Sequence, residues 1–247
     1  MFRSLALMLM AAAVPALAVP TPQAASAKLS AGNPAGSSAA VKPAVDWLRT
    51  VAATPQGGFR VGNPDAPVKL IEYASLTCPH CGHFYTTGMA ALRSKYIATG
   101  RVSYEYRSYV LNGPDMAAAV LARCDGAAAF FARADALYNQ QERWTAPFAA
   151  LTADDIARYA NLPAGQQLAG LARAGGLDGF MAAHGMARSR VAQCLADPAL
   201  QDRLSALRDN AATIGVGSTP AFLVNGHVIA GALTWETVEP ALVAALR

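Results

Sequence analysis

The chain has 247 residues, of which 53% are hydrophobic and 15% charged, and its formal net charge is +4. That apolar fraction suffices for a sizeable core. The charge is mild and no dense Lys/Arg cluster interleaves with aromatics, which sets nucleic acid aside as a partner; past the N-terminus, no stretch approaches the ~18 uncharged apolar residues of a transmembrane helix.

At the N-terminus, Arg3 precedes an uninterrupted apolar run from Leu5 to Val14, and Ala16-Leu17-Ala18 supplies small residues for cleavage. This is the layout of a secretory signal peptide over residues 1–18, so the chain is expected to be exported. Ala25-Ser26-Ala27 offers a second cleavage site. Residues 19–57 form an Ala/Ser/Pro-rich tether that cannot bury enough apolar surface to offset the entropy of ordering it. Only Asp46 to Ala53 within it has the character of a short helix.

Residues 58–112 read as the first half of a folded core. Val68 to Ala74 (VKLIEYA) is nearly continuous apolar sequence, as expected of a strand covered on both faces. After Cys78-Pro79-His80-Cys81, the residues Tyr85, Met89, Leu92 and Tyr96 recur at helical spacing up to Gly100. Arg101 to Val110 is a second strand, so the unit is βαβ with parallel strands. Residues 113–213 are helical throughout, an insertion of about five helices separated by Pro147, Pro163, Gly175-Gly176 and Asp197-Pro198. Residues 214–247 are the second half of the core. A strand from Pro220 to Val224 is followed by Asn225-Gly226, the preferred type I′ hairpin turn, and His227 to Ala230 pairs back antiparallel. A last helix starts at Thr234 as N-cap, with Val238, Leu242 and Leu246 on one face. The fold class is α/β: a thioredoxin-like fold with a helical domain inserted between its βαβ and ββα halves.

Four cysteines in an exported chain fit an oxidising compartment. Cys78 and Cys81 have two residues between them, at a strand-to-helix junction. A structural zinc site would need a second such pair, which Cys124 and Cys194 do not form, so no metal is expected. An inert disulfide is a second alternative, but the position favours redox chemistry. Unpaired N–H groups and the helix dipole at the helix start stabilise a Cys78 thiolate. Pro79 suits the first helical turn, and His80, protonated or donating a hydrogen bond, adds to the effect. A stabilised thiolate favours the dithiol and makes the disulfide oxidising. Cys78 is then the sulfur attacked by substrate, and Cys81 the buried resolving partner. Cys124 and Cys194 are seventy positions apart. Their bond would be a structural staple that leaves the redox pair intact; two free buried thiols are the alternative.

The run from Ile71 to Cys81 (IEYASLTCPHC), the later Ser218 to Gly226 (STPAFLVNG) and the helical insert between them resemble the DsbA family of thiol–disulfide oxidoreductases. The resemblance covers residues 58–247. It implies a periplasmic oxidase that introduces disulfides into unfolded or newly exported polypeptides with free thiols. It also implies reoxidation by a quinone-linked membrane protein. No cofactor is expected beyond the redox-active disulfide, and the protein is expected to be a monomer. The resemblance further implies a cis Pro220 packed against the dithiol, with Thr219 and Pro220 forming the substrate platform. It places Glu72, six residues before Cys78, where similar proteins bury an acid that shuttles protons for the resolving cysteine. The residue itself leaves open an edge position reaching solvent, or a pairing with Arg107. His83, His184 and His227 read as ordinary polar positions, and Trp144, Phe130 and Phe131 as core. A disulfide isomerase or reductase, and a non-catalytic chaperone-like module on the same fold, are the competing function classes.

Overall fold

The computed structural model describes residues 45–247. The expected signal peptide, its two candidate cleavage sites and the expected tether up to position 44 lie outside the described residues. The order of elements is β1 (Val51–Ala53), β2 (Phe59–Val61), β3 (Val68–Ala74), α1 (Pro79–Ala91) and β4 (Val102–Ser108). Eight helices follow: α2 (Gly113–Arg123), α3 (Ala127–Asn139), α4 (Gln141–Ala149), α5 (Ala153–Ala160), α6 (Ala164–Ala174), α7 (Leu177–Ala183), α8 (Arg188–Leu195) and α9 (Pro198–Thr213). The chain closes with β5 (Ala221–Val224), β6 (His227–Val228) and α10 (Trp235–Ala245).

The six strands make one sheet in the order β1-β2-β4-β3-β5-β6. β3 pairs parallel with β4 and antiparallel with β5, so β3 is central and its continuous apolar sequence is covered on both faces. Period-two alternation divides it. Val68, Leu70, Glu72 and Ala74 face the main core beneath α1, with Tyr104, Tyr106 and Phe222 beside them. Ile71 and Tyr73 face a smaller cluster with Tyr109, Ala211, Val216 and Leu223. α1 turns Cys81, Phe84, Tyr85, Gly88 and Met89 inward. It continues as a π-helical segment, Leu92–Ile97, and ends where Gly100 adopts a positive φ of 72°.

Two boundaries differ from the sequence expectation. Composition groups residues 46–57 with the tether and makes Asp46 to Ala53 a short helix. Instead a single 3-10 turn, Trp47–Arg49, is capped by the Asp46 side chain, and Val51–Ala53 extends the sheet by pairing antiparallel with β2. Partnership across the sheet, absent from the local pattern, decides the conformation of so short a segment. The insertion has eight helices rather than about five, because Gly126, Gln140 and Gly185 add three breaks, while Pro147 lies inside α4, which runs on to Ala149. The β5–β6 turn places Asn225 and Gly226 at φ 51° and 86°, the left-handed pair that a type I′ turn requires.

Candidate active site

Cys78 is the N-cap of α1, with extended backbone, and Pro79 occupies the first turn, where its missing N–H costs no helical bond. The Cys78 carbonyl accepts the first helical hydrogen bond, from Gly82 N at 3.0 Å. Both redox sulfurs are thiols, Cys78 at 6% exposure and Cys81 fully buried. Across from them the Thr219–Pro220 peptide is cis. Cys78 Sγ lies 3.4 Å from the Thr219 carbonyl, where the β3–α1 loop and the start of β5 meet.

The two thiols are electrically unlike. The Cys78 thiol is lowered to about 5, first by a hydrogen bond from the Cys81 thiol, against the cost of desolvation, with further help from Thr219 and from the backbone N–H groups of Cys81 and His80. Cys81 is pushed well above its ordinary value by burial, by the bond it donates to Cys78 and by the nearby Glu72. The His80 contribution comes from its backbone. Its side chain is exposed and, among the described residues, makes no hydrogen bond to Cys78. The sequence points to the imidazole for that effect; the helix N-terminus supplies it through the peptide N–H instead.

Glu72 is 1% exposed in the central strand. The open alternatives for it, a solvent-reaching edge position or a pair with Arg107, do not hold, because β3 is internal and Arg107 bonds Glu105 at 2.7 Å and the Tyr73 hydroxyl at 2.8 Å. Glu72 instead accepts from Tyr104 Oη at 2.5 Å. Burial raises its carboxyl to about 8, opposed by the Tyr104 bond and assisted by the Cys78 charge.

The helical insertion supplies residues that the sequence reading did not single out. Asp115 is buried and accepts from Leu76 N and Leu111 N, both at 2.9 Å. Tyr138 donates to the Ser75 carbonyl at 3.1 Å and stacks on Tyr85 with ring centroids 4.5 Å apart. Gln141 Nε2 donates to the carbonyls of Leu76 and Cys78 at 2.8 and 3.0 Å. No spacing relative to Cys78 announces them; the Asn112 side chain capping Asp115 N at 2.9 Å is the nearest thing to a local signal, an N-cap motif. A cleft of about 700 Å³ runs beside the dithiol, with Thr77, Pro79, His83, Gln141 and Arg143 among its walls. Trp144, Phe130 and the half-buried Phe131 lie in the core, and His184 is held by Gln140 at 2.8 Å. Cys124, at the end of α2, is bonded to Cys194 in α8, so the free-thiol alternative for that pair does not hold.

Known proteins share this fold. The thioredoxin family model matches residues 54–244. A solved protein-disulfide isomerase from Novosphingobium aromaticivorans is 32% identical, with a TM-score of 0.72, covering 76% of this chain and 96% of that one. Wolbachia pipientis alpha-DsbA1 shares the fold at 23% identity and a TM-score of 0.62, covering 79% of this chain and 93% of its own. A Rickettsia bellii relative, provisionally named a protein-disulfide oxidoreductase, is 32% identical over 105 residues, 42% of this chain and 40% of that protein. The chain thus spans well under half the length of the curated relatives it matches. Among the described residues no helix is long and apolar enough to cross a membrane. With a helix-capping dithiol, a facing Thr-Pro and a family match over residues 54–244, the chain belongs to the thioredoxin family and shares the fold of Wolbachia alpha-DsbA1.

Proposed function

We propose that the protein is a periplasmic dithiol oxidase that introduces disulfides into newly exported polypeptides. The observation that carries this reading is the asymmetry of the pair: Cys78 is held as thiolate down to about pH 5 while Cys81 keeps its proton. Stabilising the Cys78 thiolate favours the dithiol over the disulfide, which makes the oxidised pair a strong acceptor of electrons. A substrate thiolate attacks Cys78 Sγ of the Cys78–Cys81 disulfide. The new bond joins substrate to Cys78, and Cys81 leaves with the electrons of the broken bond and takes a proton, for which the buried acid Glu72 is the donor. The substrate's second thiolate then attacks the substrate sulfur of the mixed disulfide, and Cys78 leaves as thiolate. Two electrons have passed to the enzyme and the substrate holds a disulfide; Glu72 regains its proton from solvent. Thr219 and Pro220 form the platform for the extended substrate segment. The disulfide is the one redox group, a quinone-linked membrane protein restores it, and the protein works as a monomer.

A second reading, disulfide isomerase or reductase, draws on the name of the N. aromaticivorans relative. The deciding experiment is the equilibrium potential of the pair against glutathione, with refolding of reduced and of scrambled ribonuclease alongside. The oxidase reading expects a potential well above the roughly −270 mV of thioredoxin and activity on the reduced enzyme. A potential near or below that value, or preference for the scrambled enzyme, transfers the assignment to the second reading.

A further inference from the structure

The loop that carries Cys78 turns its backbone polar groups toward the helical insertion, and three side chains of the insertion take them. Asp115 accepts Leu76 N–H, Tyr138 binds the Ser75 carbonyl, and Gln141 binds the carbonyls of both Leu76 and Cys78. Gln141 differs from the other two in straddling the nucleophile. One amide nitrogen holds the peptide before Thr77 and the peptide after Cys78, and the second of these is also the first acceptor of α1. The fit on its other side is as close. Gly82 follows Cys81 within the helix, where glycine is disfavoured relative to alanine. A Cβ at Gly82 would come within 2.4 Å of Gln141 Oε1. The glycine is accounted for by the approach of that amide.

We propose that Gln141 is a positioning residue for the dithiol: by holding the carbonyls on both sides of Cys78 it fixes where the sulfur points, and so how oxidising the pair is. The insertion thereby sets the redox poise of the core through one side chain, with Gly82 as the space that admits it. With the amide in place, Cys78 Sγ lies among the N–H groups of His80 and Cys81 and against the Cys81 thiol. Without it the loop relaxes and those donors are less well aimed. The inference rests on the reading that Cys78 is the sulfur that exchanges with substrate.

Gln141→Met keeps the length of the side chain and removes both donated bonds. The readouts are the titration of the Cys78 thiolate by ultraviolet absorbance, the equilibrium with glutathione, and the melting temperature of the reduced protein. The expected result is a folded protein whose Cys78 titrates at higher pH and whose glutathione equilibrium moves roughly three- to tenfold toward the disulfide, the scale of one net hydrogen bond. Gly82→Ala displaces the amide and gives a shift in the same direction, and combining it with Gln141→Met adds nothing further, as coupled neighbours require. If Gln141→Met does not fold, Gly82→Ala and the shorter Gln141→Asn carry the same expectation. A folded variant that titrates and equilibrates like the parent, or a double variant with additive shifts, overturns the inference while leaving the proposed function standing. A parent in which Cys78 titrates like a free cysteine, near pH 9, overturns both.

Discussion

A carboxyl group that keeps its proton to about pH 8 is an acid at neutral pH, and burial beneath the dithiol is what makes Glu72 one. The Tyr104 hydroxyl at 2.5 Å orients it without giving it an opposite charge. Glu72→Gln removes the transferable proton and keeps the shape. The expected outcome is slower exchange at Cys81, by roughly ten- to a hundredfold for a lost general acid, in stopped-flow reduction of the mixed disulfide, with the fold retained. Stability gives a second check. The native state holds a proton that the unfolded chain loses near 4.5, so the parent loses stability relative to Glu72→Gln as pH rises from about 4.5 toward 8. Denaturant midpoints across that range measure it; parallel curves for the two proteins would contradict the assignment. Glu72 was legible in the sequence because a carboxylate in the middle of VKLIEYA is expensive without a purpose. Tyr104, Asp115 and Gln141 were not, because what brings them to the site is the packing of β4, α2 and α4, and nothing in their spacing from Cys78 encodes it.

At the level of elements, chemistry and staple are separate. The redox pair sits on one strand–helix junction, whereas Cys124 and Cys194 close a loop of 70 residues between the end of α2 and α8. A bond closing so long a loop is worth roughly 4 kcal/mol in the chain-entropy model. Replacing both residues by Ala is expected to lower the urea midpoint of unfolding by a corresponding amount, while the titration of Cys78 stays where it was. A change in that titration would mean that the staple also shapes the site. Elements with strong local signals were legible: the parallel β3–α1–β4 unit, the Asn225-Gly226 hairpin and α10 all follow from period and turn chemistry. β1 was not, since Val51-Ala52-Ala53 is too short to show a period and is ordered by pairing with Phe59–Val61. Pro147 misled in the opposite sense. A proline usually ends a helix, but here it occupies the third-last residue of α4.

For the whole molecule, the redox state of two sulfurs becomes a difference in stability. An unfolded chain does not hold the Cys81 thiol against Cys78 and has no helix terminus, so its Cys78 thiol titrates near the ordinary value of 9; the folded reduced protein lowers that to about 5. Folding therefore favours the dithiol, and by closure of the cycle the disulfide makes the folded state less stable than the dithiol does. The sign follows from a depressed pKa. The stabilisation is complete above about pH 9, shrinks as pH falls, and is gone below about 5, where native and unfolded chains both carry the proton. At pH 7, allowing for solvent screening of a thiolate close to the surface, the gap is about 1–2 kcal/mol. In a domain of this size that lowers the melting temperature of the oxidised protein by roughly 3–6 °C relative to the reduced one. Calorimetry of the two forms at pH 7 and again near pH 5 measures both the gap and its closing. An oxidised form more stable than the reduced one at pH 7 would mean that the Cys78–Cys81 bond is a staple like Cys124–Cys194. The helix terminus, the cis Thr219–Pro220 and the clamp from the insertion would then have been built around a bond that the protein keeps rather than gives away.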